Sequence, residues 1–478
     1  MSEQRKSRDN AARGTALLSV RQVLVGTVTI VGIVVLPLLL GPTDFSLYGY
    51  VNMIVLLGAA VGDLGLGAYL IKHKVSKRQL RGMLGLQLLF WTGSTLFLMA
   101  IALILDPFGF STLTYALLCA GLLLFALQSL PTALMERQLA FRQISLLEVV
   151  QRVILVSFAI GFAILEPSEW AIPLAALASA TLLYPVFLRL SAWPGPPLLV
   201  RGEPVFQGFA SQWWQTRIAN QLTYATFPLL GGLLFTATDV GLLIWALSVS
   251  LIPGYLAPMA ARAIYPVMAR TSASERIAVH DLALRGLLLI GAPIVVFMFV
   301  AAPELTDSIF GRPWTEAVPT LRILLITSFL GIGLATLGPL AFLEDRPSRI
   351  KWLSVASTGL IVTLTLLLSR ELTLTAIPIA NLASCLFLIV ALEVAIRKAT
   401  GYSPLQVSLP AVIGLLLGLA LGVSLAATVE GGLLVSVAIA LAAAALQLAV
   451  CWSLGGGIPL ERLRIQLAAL RASSNPKG

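Results

Sequence analysis

Read for polarity alone, the chain alternates from end to end between continuous apolar stretches and short polar connectors. As a helix rising 1.5 Å per residue, a stretch of about 18–23 apolar residues is long enough to cross a hydrocarbon core of about 30 Å. Barrel strands would alternate polar and apolar positions, and these runs do not. The pattern predicts membrane spans at about 22–40, 48–71, 83–105, 113–134, 146–165, 171–189, 212–235, 240–265, 287–303, 318–343, 352–369, 374–396, 406–428 and 432–454. The expected fold class is all-α integral membrane, with about 14 transmembrane helices.

The connectors orient the bundle. Of the 32 Lys and Arg residues, 26 fall in the two tails and the even-numbered connectors, such as Lys72 to Arg81 (KHKVSKRQLR). Two, Arg312 and Arg370, fall on the opposite side, whose loops are short and acidic, and four lie inside spans. Positive residues stay on the cytoplasmic side, so both termini are expected there, in a cell inner membrane. The net charge of +10 is thereby explained without a nucleic-acid partner. Composition agrees: 58% of the 478 residues are hydrophobic and 11% charged, roughly half the charged fraction a soluble protein uses.

A short repeat suggests internal organisation. Pro42-Thr43-Asp44 before span 2 and Ala237-Thr238-Asp239 before span 8 lie 195 residues apart, each reading as a Thr-Asp N-cap. Six spans separate the copies, so both have the same topology. Two six-helix halves related by an axis along the membrane normal follow: residues 1–188, a proline-rich cytoplasmic linker at 189–206, and residues 207–399. Two additional helices occupy 400–454 and a cytoplasmic tail 455–478.

Candidate chemistry is confined to polar residues inside spans, where a charge costs at least about 2.5–3.5 kcal/mol on insertion scales. Arg217 lies in span 7 amid Gln212, Trp213 and Asn220, and Arg262 in span 8 among alanines. Asp63 sits in span 2 within Gly62-Asp63-Leu64-Gly65-Leu66-Gly67. Glu148 and Arg152, near the inner end of span 5, are spaced for an i,i+4 pair. Arg322 and Glu393 complete the set. Such residues either snorkel and lock helices together or line a cavity. Guanidinium groups in a water-filled cavity would bind a diphosphate through their fork geometry. Arg217, Arg262, Arg152, Asn220, Gln212 and Trp213 are the candidate substrate-binding residues; Asp63 and Glu148 are candidates for coupling or helix pairing.

Catalysis has little to draw on. His73 and His280 are expected in solvated basic loops, and Cys119, Cys385 and Cys451 stand far apart inside apolar helices. With no phosphate loop, Cys/His cluster or Ser/His/Asp arrangement in the sequence, neither an enzyme nor a cofactor or metal is expected. Eleven prolines within spans, among them Pro253, Pro258 and Pro266 around span 8, are either packing kinks or bending points.

Three segments carry a family resemblance: Gly62-Asp63-Leu64-Gly65-Leu66-Gly67-Ala68, Tyr265-Pro266-Val267-Met268-Ala269-Arg270, and Phe310-Gly311-Arg312-Pro313-Trp314-Thr315-Glu316-Ala317, which resembles a G-x-x-W-x-x-A element. In their order and spacing, along with the span count, the chain resembles the polysaccharide and oligosaccharide-lipid flippases of the multidrug/oligosaccharidyl-lipid/polysaccharide exporter superfamily. That resemblance implies an alternating-access transporter of lipid-linked oligosaccharide, with the anionic diphosphate in a central cationic cavity and the polyprenyl tail in lipid. Membrane lipids, and glycosyltransferases and a polymerase of the same pathway, are the partners it implies. One departure stands out: many relatives carry an acid five residues before a span 7 glycine, where this chain has Thr226 before Gly231. The alternatives are a cation-coupled multidrug exporter of the same architecture, a membrane sugar polymerase or ligase, and a non-transporting scaffold.

Overall fold

The computed structural model describes residues 21, 23–62, 64–72, 75–105, 109–138, 140–198, 225–255, 257, 264, 268, 271–344, 347–429 and 431–457. Regular structure among them is helical throughout. Ten helices are long and apolar enough to cross a membrane, and three shorter apolar helices join them. Each predicted span is largely helical in its described part, with interruptions in spans 2 and 8.

The order is α1 (Val23–Leu39), α2 (Pro42–Val61), α3 (Leu66–Lys72), α4 (Lys77–Leu105), α5 (Thr112–Leu127), α6 (Ser129–Arg137), α7 (Phe141–Leu165), α8 (Ala171–Leu190), α9 (Ala225–Leu234) and α10 (Ala237–Ser250). Then come α11 (Ala273–Phe310), α12 (Arg312–Thr315), α13 (Val318–Glu344), α14 (Pro347–Leu368), α15 (Ala376–Thr400), α16 (Pro404–Thr428) and α17 (Leu433–Cys451). They divide into two compact units, residues 1–245 with 361–377, and residues 246–360 with 378–478.

In the first unit, span 2 is broken. Leu64 (φ 55°) and Gly65 (φ 76°) occupy the left-handed region, which ends α2 and restarts the chain as α3. A Cβ on Gly62 would stand 2.7 Å from the Ala126 Cα, so α2 and α5 touch backbone to backbone here. The break frees the Gly62 carbonyl, which accepts from Gln87 Nε2 at 2.7 Å and Trp91 Nε1 at 2.8 Å. The Gln87 amide also reaches Ala126 O at 2.7 Å and Ser129 Oγ at 2.8 Å, where α5 gives way to α6. Buried Gln128 donates to Ala180 O on α8 and accepts from Gln151 on α7. In lipid, freed backbone groups need such partners. Gln87→Leu is therefore expected to lower stability by about 1–2 kcal/mol, from an average of about 0.6 kcal/mol per membrane hydrogen bond. Thermal unfolding in detergent should show it, with a smaller loss for Trp91→Phe.

The helix starts correct the expected caps. Gly41, without a side-chain bond, precedes α2, so Thr43 and Asp44 lie in its first turn. Thr236 rather than Thr238 caps α10: its Oγ accepts from the Asp239 N–H at 3.2 Å, and its own N–H donates to Asp239 Oδ2 at 3.1 Å. The two repeat threonines meet instead, Thr43 Oγ1 to Thr238 Oγ1 at 2.9 Å.

In the second unit, α11 runs for 38 residues, about 57 Å, well beyond the expected 287–303. A Ser272–Glu275 capping box starts it, so the basic connector is largely helix. Its arginines are engaged: Arg276 Nη1 donates to Glu344 at 2.5 Å and Arg285 Nε to Asp281 at 3.1 Å. His280 is buried, not solvated, and its Nδ1 lies 3.2 Å from the Tyr402 hydroxyl. Gly311 (φ 82°) then turns the chain into α12, burying Trp314 and Ala317. Gly414, Gly418 and Gly422 bring α16 close to its neighbours: a Cβ on Gly418 would stand 2.9 Å from Ala443 O of α17 and 3.3 Å from Val296 of α11. Small residues four apart allow this approach in membranes. Cys119, Cys385 and Cys451 carry free thiols.

Candidate substrate-binding site

Of the residues singled out by sequence, Arg152 and Glu148 are placed. Arg217, Arg262, Asn220, Gln212, Trp213 and Asp63 lie outside the described residues, as does His73. Because α7 begins at Phe141 and not near residue 146, Arg152 stands about 16 Å along the helix from its basic-side end. It therefore lies close to the middle of α7, which spans Phe141–Leu165.

The i,i+4 pair gives way to partners on other helices. Glu148 takes an ion pair from Arg21 Nη1, ahead of α1. Arg152 Nη1 donates to Asn52 Oδ1 of α2 at 3.4 Å, a long bond beside the usual 2.7–3.2 Å. No carboxylate among the described residues neutralises Arg152. A guanidinium carries five N–H donors, and one weak bond to a neutral amide leaves most of its fork open. The arrangement offers a charge, embedded and only partly exposed, to an anion with planar or tetrahedral oxygens. Asn52, a polar residue within a predicted span, was the available signal for this contact.

The other two embedded charges serve packing. Arg322 donates through Nε to Phe299 O at 3.1 Å and lies 5.0 Å over the Phe299 ring. Glu393, 7% exposed, accepts from Ser403 Oγ and from the Leu405 N–H at 3.1 Å. Its carboxylate therefore caps α16, whose N-terminal N–H groups and dipole favour an anion.

The fold defines a class, a multi-pass helical membrane protein. The profile described as polysaccharide biosynthesis protein matches residues 35–319. The chain belongs to that family. Its fold is similar to that of the lipid II flippase MurJ in an inward closed conformation, with TM-score 0.72 and 12% identity over 92% of this chain and 99% of that one. An inward-facing multidrug resistance MATE family transporter of the MOP superfamily follows at TM-score 0.59 and 13% identity, covering 82% and 99%. The eukaryotic MATE transporter AtDTX14 gives 0.53 and 13%, covering 82% and 98%. A comparison with curated protein sequences finds no match.

Proposed function

We propose that the protein is a flippase that moves a polyprenyl-diphosphate-linked oligosaccharide from the cytoplasmic to the outer leaflet of the inner membrane, for cell-surface polysaccharide synthesis. The observation that carries this reading is Arg152: a cation near the middle of α7 whose one side-chain bond among the described residues goes to a neutral amide, in a chain of the polysaccharide biosynthesis family. An ionisable residue inside a membrane span, with no carboxylate partner among the described residues, is a functional-site candidate by default. Arg152, Arg217 and Arg262 would bind the diphosphate in a cationic cavity that opens alternately to the two sides, with Gln212, Trp213 and Asn220 beside them. The tail stays in lipid. No chemical step is assigned to the chain, which acts as a transporter and not as an enzyme.

Two six-helix halves, residues 1–188 and 207–399, would rock about an axis near the Thr43–Thr238 contact, a reading supported by the 195-residue offset of that pair. The positive-inside asymmetry supports cytoplasmic termini. With the cytoplasm negative, moving an uncompensated anion outward is favoured by about 2.3 kcal/mol per charge per 100 mV.

Likeness to multidrug transporters keeps a drug exporter as the second reading. The deciding experiment deletes the gene and measures lipid-linked oligosaccharide on each face of the inner membrane, with complementation by wild type or by Arg217→Ala plus Arg262→Ala at matched protein levels. Precursor trapped on the cytoplasmic face in the deletion and the double variant is the expected result. An unchanged leaflet distribution in the deletion would overturn the reading and direct attention to drug efflux.

A further inference from the structure

On the basic side of the first unit, the proline-rich stretch after α8 folds back against α4. Leu198 N–H donates to Arg81 O at 3.0 Å, and Arg81 Nε donates to Pro196 O at 2.7 Å. Gly85 permits this seat, since a Cβ there would stand 2.2 Å from Leu198 O. Between this stretch, α4 and α8 lies a cavity of about 690 Å³. Leu84, Leu88 and Leu127 form an apolar wall, and Tyr184, Arg189 and Trp193 bring the polar atoms.

Three features say what it holds. First, its flanks are apolar and outward facing: Leu86, Leu89 and Phe90 on α4, and Leu182, Val186 and Leu190 on α8, are all exposed. On membrane helices such faces meet lipid, so the cleft opens laterally to hydrocarbon. Second, the cleft brings a basic group and an indole to its polar end. Trp193 Nε1 is buried without a partner among the described residues. Arg189, the basic residue in the last turn of α8, is exposed. Third, Trp, Tyr and Arg beside an apolar slot are the residues that sit at headgroup level, on the side whose leaflet carries anionic lipid.

We propose that this cleft is a binding site for an acidic glycerophospholipid of the cytoplasmic leaflet. One acyl chain lies along Leu84 and Leu88, and the phosphate meets the exposed Arg189 beside the Trp193 ring. Shape accommodates the chain, and the basic side chain supplies the preference for an anion. The proposal rests on the inferred sidedness of the chain and not on transport, so either can fail without the other.

The test places the full-length protein in nanodiscs doped with phosphatidylglycerol or phosphatidylcholine carrying the same photoreactive acyl chain, then maps adducts by peptide mass spectrometry. Adducts on the peptides containing Leu84–Leu88 and Trp193–Pro197 are expected to favour phosphatidylglycerol about fivefold, as one basic side chain near the surface provides. Arg189→Gln should bring the two lipids to parity while total labelling persists. Leu88→Trp should fill the slot and suppress labelling by both. If Leu88→Trp fails to yield a monodisperse protein, Arg189→Gln decides alone. Equal labelling by the two lipids in wild type, or none on these peptides, overturns the proposal. So does displacement of the glycerolipid by substoichiometric polyprenyl diphosphate, which would assign the slot to the transported lipid's tail.

Discussion

Gly241→Ala is expected to remove most of the folded protein, with about 3 kcal/mol or more lost in stability. Gly241 lies where α10 crosses the start of α2. An alanine Cβ at this position would stand 1.6 Å from the Pro42 carbonyl oxygen and 2.5 Å from its carbon. Both are backbone atoms, so no side chain can swing aside. Overpacking a tight site typically costs 1–3 kcal/mol, occasionally more, and a backbone obstacle puts this case at the upper end. The nearby hydrogen bond from Thr43 to Thr238 would be pulled apart as the helices separate. Gly49→Ala is the control. Its Cβ would meet only side-chain atoms of Ile244, at 2.5 Å for Cγ1 and 2.7 Å for Cδ1, and these can shift. The measurement is monodisperse yield and apparent melting temperature in detergent for both variants. A Gly49→Ala variant as damaged as Gly241→Ala would mean that the crossing is not the tight point inferred.

Much of the bundle was legible because hydropathy and helix length are set by the same bilayer. The missed features come from elsewhere. The basic-side extension of α11 lies outside any apolar window, yet Ser272 and Glu275 spell a capping-box pattern that marks its start. The N-cap of α10 was misread by two residues because Thr236-x-x-Asp239 competes with the adjacent Thr238-Asp239. His280 falls in a basic connector outside the predicted span, beside Asp281, but the helix turns it towards Tyr402, 122 positions away. The break in span 2 follows from the close approach of α5, and the Gln87 cluster that stabilises it joins segments 25 to 42 residues apart. A spacing argument within α7 could propose Glu148 with Arg152. It had no view of Arg21 or Asn52, which approach from other helices.

For the site, the sharpest expectation concerns Arg152. Replacing it by methionine should lower the rate of lipid-linked oligosaccharide transfer at least tenfold, with stability unchanged or raised. An arginine at the centre of a membrane helix costs about 2.5–3.5 kcal/mol on insertion scales. Its single described bond, 3.4 Å long to Asn52, returns about 0.6 kcal/mol on the average for such contacts. The difference leaves about 2–3 kcal/mol of stability to be gained by an apolar residue of similar length. A residue kept for packing would behave oppositely, since its removal would destabilise the protein. Arg152→Lys separates charge from geometry: an ammonium retains attraction to a diphosphate but not the paired, planar donors of the fork, so intermediate transfer is expected. Asn52→Leu supplies the remaining control. If Asn52 merely steadies the guanidinium, this variant transports at near the wild-type rate, and a double-mutant cycle with Arg152→Met gives a stability coupling below about 1 kcal/mol. Transfer unaltered in Arg152→Met, or a large coupling with loss of folded protein, would return Arg152 to the role of a helix-pairing residue. The anion-binding function would then rest on Arg217 and Arg262.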